Sequence, residues 1–181
     1  MVFKKFIVLI FFLLLSLSCG KDKSTEDISK NVTGEFKWSE NISVNQIPET
    51  PVKGYINGKE IRIEYINYEN WIASKDNVIN FSSKKPNQNC GFVEYDVSLT
   101  RKEIPFPEKG EFLKENFSTT KEGYSAVYFD NEKKVTVGWN CALVITETTD
   151  KIVRGKIAIC FKDEKKSWIA GTFEAIRCRN L

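Results

Sequence analysis

From Val52 to Cys178 apolar and polar residues alternate in short runs, and no segment keeps a helical period. Alternation with a period of two marks half-buried β-strands. The C-terminal third is the clearest part. Tyr124 to Phe129 turns through Asp130-Asn131-Glu132-Lys133, and Val135, Val137, Trp139, Cys141, Leu143 and Ile145 then alternate. After a turn at Glu147 to Lys151, Val153, Gly155, Ile157, Ile159 and Phe161 line one face, with Arg154 and Lys156 opposite. Asp163 to Ser167 turns again, and Trp168 to Cys178 returns with Ile169, Gly171, Phe173 and Ala175 inward.

Upstream, Asn57-Gly58 separates Tyr55-Ile56 from Lys59 to Ile63. Both central residues of a type I′ turn need positive φ, which Asn-Gly tolerates best, so a hairpin is expected there. Val78 to Phe81 reads as a strand, and the polar loop Ser82 to Asn89 leads to Cys90. Val93, Tyr95, Val97 and Leu99 alternate with Glu94, Asp96 and Ser98, a further half-buried strand. The segment 101–123 holds Pro105, Pro107, Gly110 and Gly123, with Glu111 to Lys114 expected as a short edge strand or helical turn. Trp38, Ile42, Val44 and Ile47 are unevenly spaced before Pro48, giving a first edge strand or an ordered lead-in. The fold class expected over residues 35–181 is all-β. An antiparallel meander of about 8–10 strands would form a β-sandwich or a β-barrel.

The N-terminus follows another rule. Lys4 and Lys5 precede an apolar run from Phe6 to Leu17, broken only by Ser16. As a helix that run is about 18 Å long, short of the roughly 30 Å hydrocarbon core. It has the form of a secretory signal peptide over residues 1–18. Leu15-Ser16-Leu17-Ser18-Cys19 resembles the lipobox of bacterial lipoproteins, in the relaxed form of spirochaetal ones. That resemblance implies a lipid-anchored cell-envelope protein, with Cys19 carrying the diacylglyceryl group and an acyl chain such as palmitate, most simply at the outer membrane. Residues 20–34, polar and aperiodic, read as a flexible tether. The competing reading is ordinary secretion with Cys19 a spare thiol.

Removing residues 1–18 leaves 25 basic and 24 acidic residues, which argues against nucleic acid as a partner. Four cysteines then remain beside Cys19: Cys90, Cys141, Cys160 and Cys178. An even count in an exported chain favours disulfides over metal binding. Cys160 and Cys178 would stand far apart along neighbouring strands. Cys141 and Cys160 fall close together on adjacent strands, although alternation sets them on opposite faces unless a bulge intervenes. The pairing expected is Cys90–Cys178 with Cys141–Cys160.

The chain contains no histidine, which excludes Ser-His-Asp and Cys-His machinery and the usual zinc ligand sets. Ser82-x-x-Lys85 and Ser118-x-x-Lys121 match a penicillin-binding pattern without its companion motifs. Glu94, Asp96 and Glu174 are expected as solvated surface charges rather than a glycosidase pair. Asp130-Asn131-Glu132 reads as a solvated turn, short of a calcium loop. No catalytic residue, metal or cofactor is expected.

Binding chemistry gathers at Tyr65-Ile-Asn-Tyr68-Glu-Asn-Trp71, whose aromatics stand at steps of three and do not fit strand alternation. In a loop, Tyr and Trp give stiff, amphipathic contact area. The plainer reading makes them a cap over one end of the barrel, and Trp168, beside Lys165 and Lys166, carries the same two readings.

The last hairpin, Gly155 to Ala175 with its Gly171-Thr172-Phe173 strand, and Asn57-Gly58-Lys59 resemble small bacterial β-lipoproteins of unknown function. The resemblance implies a fold and an envelope address and no activity. The function expected is therefore non-catalytic: an adhesin-like or inhibitor-like module offering loops around Tyr68 and Trp71 to a macromolecule. A small apolar ligand inside the barrel is the alternative; an enzyme is the third reading.

Overall fold

The computed structural model describes residues 35–178. The leader 1–18, Cys19 and the tether 20–34 lie outside the described residues. Eleven strands follow one another: β1 (Lys53–Ile56), β2 (Lys59–Arg62), β3 (Tyr65–Trp71), β4 (Asp76–Ser82), β5 (Val97–Arg101), β6 (Gly110–Lys114), β7 (Tyr124–Asp130), β8 (Lys133–Val135), β9 (Trp139–Thr148), β10 (Ile152–Phe161) and β11 (Trp168–Cys178). They form one curled sheet, a half-barrel, in the order β6-β9-β10-β11-β3-β4-β5-β7-β8, with the β1–β2 hairpin attached to β11.

The all-β expectation holds, with refinements. β9, β10 and β11 form the expected meander, but β11 meets β3 in parallel, with Cys178 beside Glu69. The sheet ends at β6 and β8, which do not pair with each other. Asn57 (φ 49°) and Gly58 (φ 76°) make the two-residue turn between β1 and β2 as their side chains require. Two alternating runs are longer than their strands. Val135 to Ile145 breaks at residues 136–138, where the chain passes from β8, paired with β7, to β9, paired with β10. Val93 to Leu99 joins the ladder only from Val97: Ser82 Oγ donates to the Glu94 carbonyl and the Ser83 N–H to Asp96, so side-chain bonds replace the ladder there.

The concave face is filled. Phe81, Phe161, Ile79, Leu99, Leu143 and Ile157 are fully buried, with Phe81 edge-on to Phe173 at 6.1 Å and Tyr128 to Phe161 at 5.1 Å. Burying each such side chain contributes about 1.5–3 kcal/mol. On the open side Phe112 stacks on Tyr124 at 4.1 Å and Phe106 packs against both Tyr68 and Tyr124.

The convex face of β9–β10–β11 is covered as well. Ala158 pairs with Ala142 on one side and Ala170 on the other, so three small residues lie abreast. The flat strip they leave accepts residues 36–47, whose Phe36, Ile42 and Ile47 are buried on it. This is the ordered lead-in, with one 3-10 turn at Val44–Gln46. Asn140 pins it by donating to the Ser39 and Glu40 carbonyls at 3.0 and 2.9 Å, and the Trp38 indole donates to the Phe161 carbonyl at 2.8 Å.

The disulfide expectation is half met. Cys90 and Cys178 are bonded, whereas Cys141 and Cys160 are free and buried. The ladder sets Cys141 opposite Ile159 and Cys160 opposite Asn140, one residue out of step. Their side chains therefore leave opposite faces, Cys141 into the interior and Cys160 under the lead-in. The bulge in that ladder, at Arg154/Gly155, is too distant to bring them together.

Candidate interaction surface

The convex face of β3–β4–β5 carries a polar layer under a strap. β3 turns Tyr65, Asn67, Glu69 and Trp71 outward, and Asn80 pairs with Asn67 and with Ser98 across the neighbouring strands. Ser98 Oγ donates to Asn80 at 2.6 Å, Asn80 to Asn67 at 3.1 Å, and Asn67 to Glu69 at 2.7 Å. The Glu69 carboxylate, 5% exposed, also accepts from the Tyr95 hydroxyl at 2.7 Å and the Trp71 indole at 2.8 Å. Three neutral donors replace the water that this buried anion gave up. Burial, and then the bond to Glu69, push the Tyr95 phenol well above its ordinary range.

Residues 83–96 form the strap over this layer. Cys90 ties it to the last residue of β11, its N–H donates to the Tyr65 hydroxyl at 3.0 Å, and Tyr95 reaches down to Glu69 and Asn67. The Phe129 N–H closes the strap's far end on the Asp96 carbonyl at 2.9 Å. Lys84 and Glu94 form an ion pair along it; each partner's hydrogen bond raises the lysine and lowers the carboxyl.

The expected binding aromatics separate. Tyr65–Trp71 is a strand, not a loop. Its sheet is buried on both faces, so polar Asn67 and Glu69 hide the alternation. Tyr65 is buried under the strap. Tyr68 points into the core and donates to Asn77 at 2.9 Å; burial raises its phenol. Trp168 is buried beneath the lead-in, 5.0 Å from Phe36 and 5.7 Å from Tyr55. Trp71 alone of the four stays at the surface, 40% exposed.

Two apolar residues that the sequence reading passed over are exposed as well. Ile72 is 61% exposed at the tip of the β3–β4 hairpin, and Phe92 is 93% exposed on the strap. Phe92 stands in the polar phase of the Val93-Tyr95-Val97 alternation, directly after Cys90-Gly91. An apolar residue out of phase was the available signal.

No protein-family model matches this chain, and no curated protein or solved structure matches it. Its chemistry rests on geometry alone.

The remaining candidates are engaged by their neighbours. An open depression of about 340 Å³ lies between the strap and the β7–β8 turn, lined by Lys84, Glu94, Tyr95, Asp96, Phe129 and Glu132 among others. Glycoside hydrolysis needs a carboxyl whose proton is held up. Glu94 is instead held down by Lys84, and Asp96 accepts the Ser83 N–H. Glu174, the third expected surface charge, pairs with Arg154 at 2.7 Å. Ser82 is buried and donates to the Glu94 carbonyl, and Ser118 donates to Asn116, so both hydroxyls of the Ser-x-x-Lys matches are engaged away from their lysines' motif role. The Asp130 carboxylate accepts from Asn57 at 2.8 Å, and among the described residues no three ligating side chains gather for a metal. Lys114 is a buried amine whose proton burial makes easier to lose; it donates to the carbonyls of Asn116, Phe117 and Trp139 and lies 4.9 Å over the Trp139 ring.

Proposed function

We propose that this chain is a lipid-anchored protein of the bacterial cell envelope whose β domain binds a macromolecular partner, without catalysis, through Trp71, Ile72 and Phe92. One observation carries the reading. In a domain that packs both faces of its sheet, Trp71 and Ile72 at the end of β3 and Phe92 on the strap are three of the six large apolar side chains left exposed among the described residues, on two segments that the Tyr95–Glu69 bond ties together. Leaving such a group exposed forgoes roughly 1.5–3 kcal/mol of burial. A partner recovers it.

The position of the patch agrees with an anchored protein. The ladder registers put the 72–75 turn, the 102–109 segment and the 149–151 turn at one end of the half-barrel. The 57–58, 131–132 and 162–167 turns are at the other. Residues 36–38 pack at this second end, on Trp168 and Phe161. The described chain thus begins away from Trp71 and Ile72, and an anchor ahead of it leaves those residues facing outward. The alternative of an apolar ligand inside the half-barrel would require displacing Phe81 and Phe161 from the filled interior.

Two measurements test the proposal. Mass spectrometry of the N-terminal peptide from the membrane fraction is expected to show an acylated Cys19; an unmodified peptide removes the anchor. Affinity capture from envelope extracts with the full-length protein is expected to lose its partner on Trp71→Ser/Ile72→Ser/Phe92→Ser substitution. Equal capture by both would refute the binding face.

A further inference from the structure

We infer that the strap is a protease-binding loop, with Phe92 the residue that fills the apolar specificity pocket of a chymotrypsin-like serine protease. The inference rests on the reading of this domain as a displayed binding module and names the chemistry of its partner.

The case begins with presentation. Phe92 is the most exposed large apolar residue of those described, at 93%. Among the described residues no hydrogen bond engages its backbone. From Gly91 to Tyr95 the chain has neither turn nor strand and no positive φ, so the peptide groups on either side of Phe92 lie along a free stretch. A protease of this class reads a substrate residue by burying its side chain in a pocket, which is an apolar slot in chymotrypsin. A single exposed phenyl ring on an unengaged backbone fits that demand.

The second part is restraint on both sides. Two residues before Phe92, Cys90 is bonded to Cys178 at the end of β11, and the Gly91 N–H donates to the Gln88 carbonyl at 2.9 Å. After it, Val93 is buried, the Glu94 carbonyl accepts from Ser82 at 2.6 Å, and Tyr95 is bonded to Glu69. A loop already held in its bound shape loses little freedom on association.

The same restraint governs what happens at the bond. The protease serine oxygen adds to the Phe92 carbonyl, and its proton passes through the protease histidine to the Val93 nitrogen as the Phe92–Val93 bond breaks. In an ordinary substrate the new amine departs and water takes its place. Here the amine belongs to a buried, hydrogen-bonded segment and cannot leave. It attacks the acyl ester, restores the peptide bond and returns the proton to the serine. Retention of both fragments makes the loop an inhibitor instead of a substrate.

The test uses the full-length protein in detergent with chymotrypsin and trypsin as probes. The unaltered protein is expected to inhibit chymotrypsin stoichiometrically and leave trypsin active, with a minor, constant fraction cut between Phe92 and Val93. Phe92→Ala is expected to weaken inhibition by about 100-fold, as for an interface anchor. Phe92→Lys is expected to transfer inhibition to trypsin, whose pocket is acidic. Phe92 is on the surface, and thermal melting verifies that both variants fold. Complete cleavage at Phe92 without inhibition, inhibition unchanged by Phe92→Ala, or no effect on chymotrypsin overturns the inference. Capture by the Trp71-Ile72-Phe92 face is read separately and stands or falls by itself.

Discussion

The Tyr95 hydroxyl donates to Glu69 across 2.7 Å, joining the strap to the sheet beneath it. The bond settles two matters together: a buried carboxylate acquires a donor in place of water, and the extended stretch carrying Phe92 acquires a fixed floor. Tyr95→Phe keeps the ring and removes the donor. It is expected to destabilise the domain by about 1–3 kcal/mol, the usual cost of leaving a buried polar atom short of a partner. Urea denaturation measures this, and faster amide exchange in residues 91–96 should accompany it.

Four phenols give the domain an alkaline limit. Tyr68, Tyr95, Tyr124 and Tyr128 are all raised, first by burial; Tyr128, whose hydroxyl donates to Asp163 at 2.9 Å, is pushed up to about 12. An acid whose folded pKa exceeds its unfolded value, 10 for tyrosine, keeps its proton longer when folded. Its stabilisation is complete below pH 10 and is lost as pH rises towards 12 and beyond. Denaturation midpoints are expected to be level up to about pH 9 and to fall steeply above 10. Tyr128→Phe should flatten part of that fall.

The four cysteines other than Cys19 are predicted to divide two and two. Alkylation in denaturant without reductant should label Cys141 and Cys160 and spare Cys90 and Cys178; reduction should expose all four. In the folded protein burial pushes both free thiols up, Cys160 to about 12, so native labelling at neutral pH is expected to be negligible. Removing the 90–178 bridge should cost about 2–5 kcal/mol.

The alanine row predicts intolerance to size. Ala158 has an alanine on each side and the lead-in above it. Ala158→Leu is expected to cost about 1–3 kcal/mol through overpacking and to loosen residues 36–47. A red shift of Trp38 emission and proteolytic cleavage near Ser39 would report it.

How much of this was readable from residues alone depends on which face one considers. Where a strand has one apolar face, as in β9 to β11, alternation gave strand positions and inward residues directly. Asn57-Gly58 fixed its own turn because few other pairs accept two positive φ values. β3 was hidden because it is covered twice, by the core on one face and by the strap on the other. Asn67 and Glu69 then look exposed by type and are buried in fact. The same covering removed Tyr65 and Tyr68 from the surface. The parallel β11–β3 pair and the carbonyl cage around Lys114 depend on contacts far apart in sequence, which no local pattern carries. Cys141 and Cys160 show the opposite lesson: the alternation argument against pairing them was sound and decided the outcome.

Photo-cross-linking in intact cells examines the binding face most directly. A photoreactive residue at Phe92, at Ile72 and, as a control, at Glu174 would be irradiated with the protein in its own membrane. One discrete adduct shared by positions 92 and 72 and absent at 174 is the predicted result. Adducts equally frequent at all three positions, or none above background at 92 and 72, would contradict it.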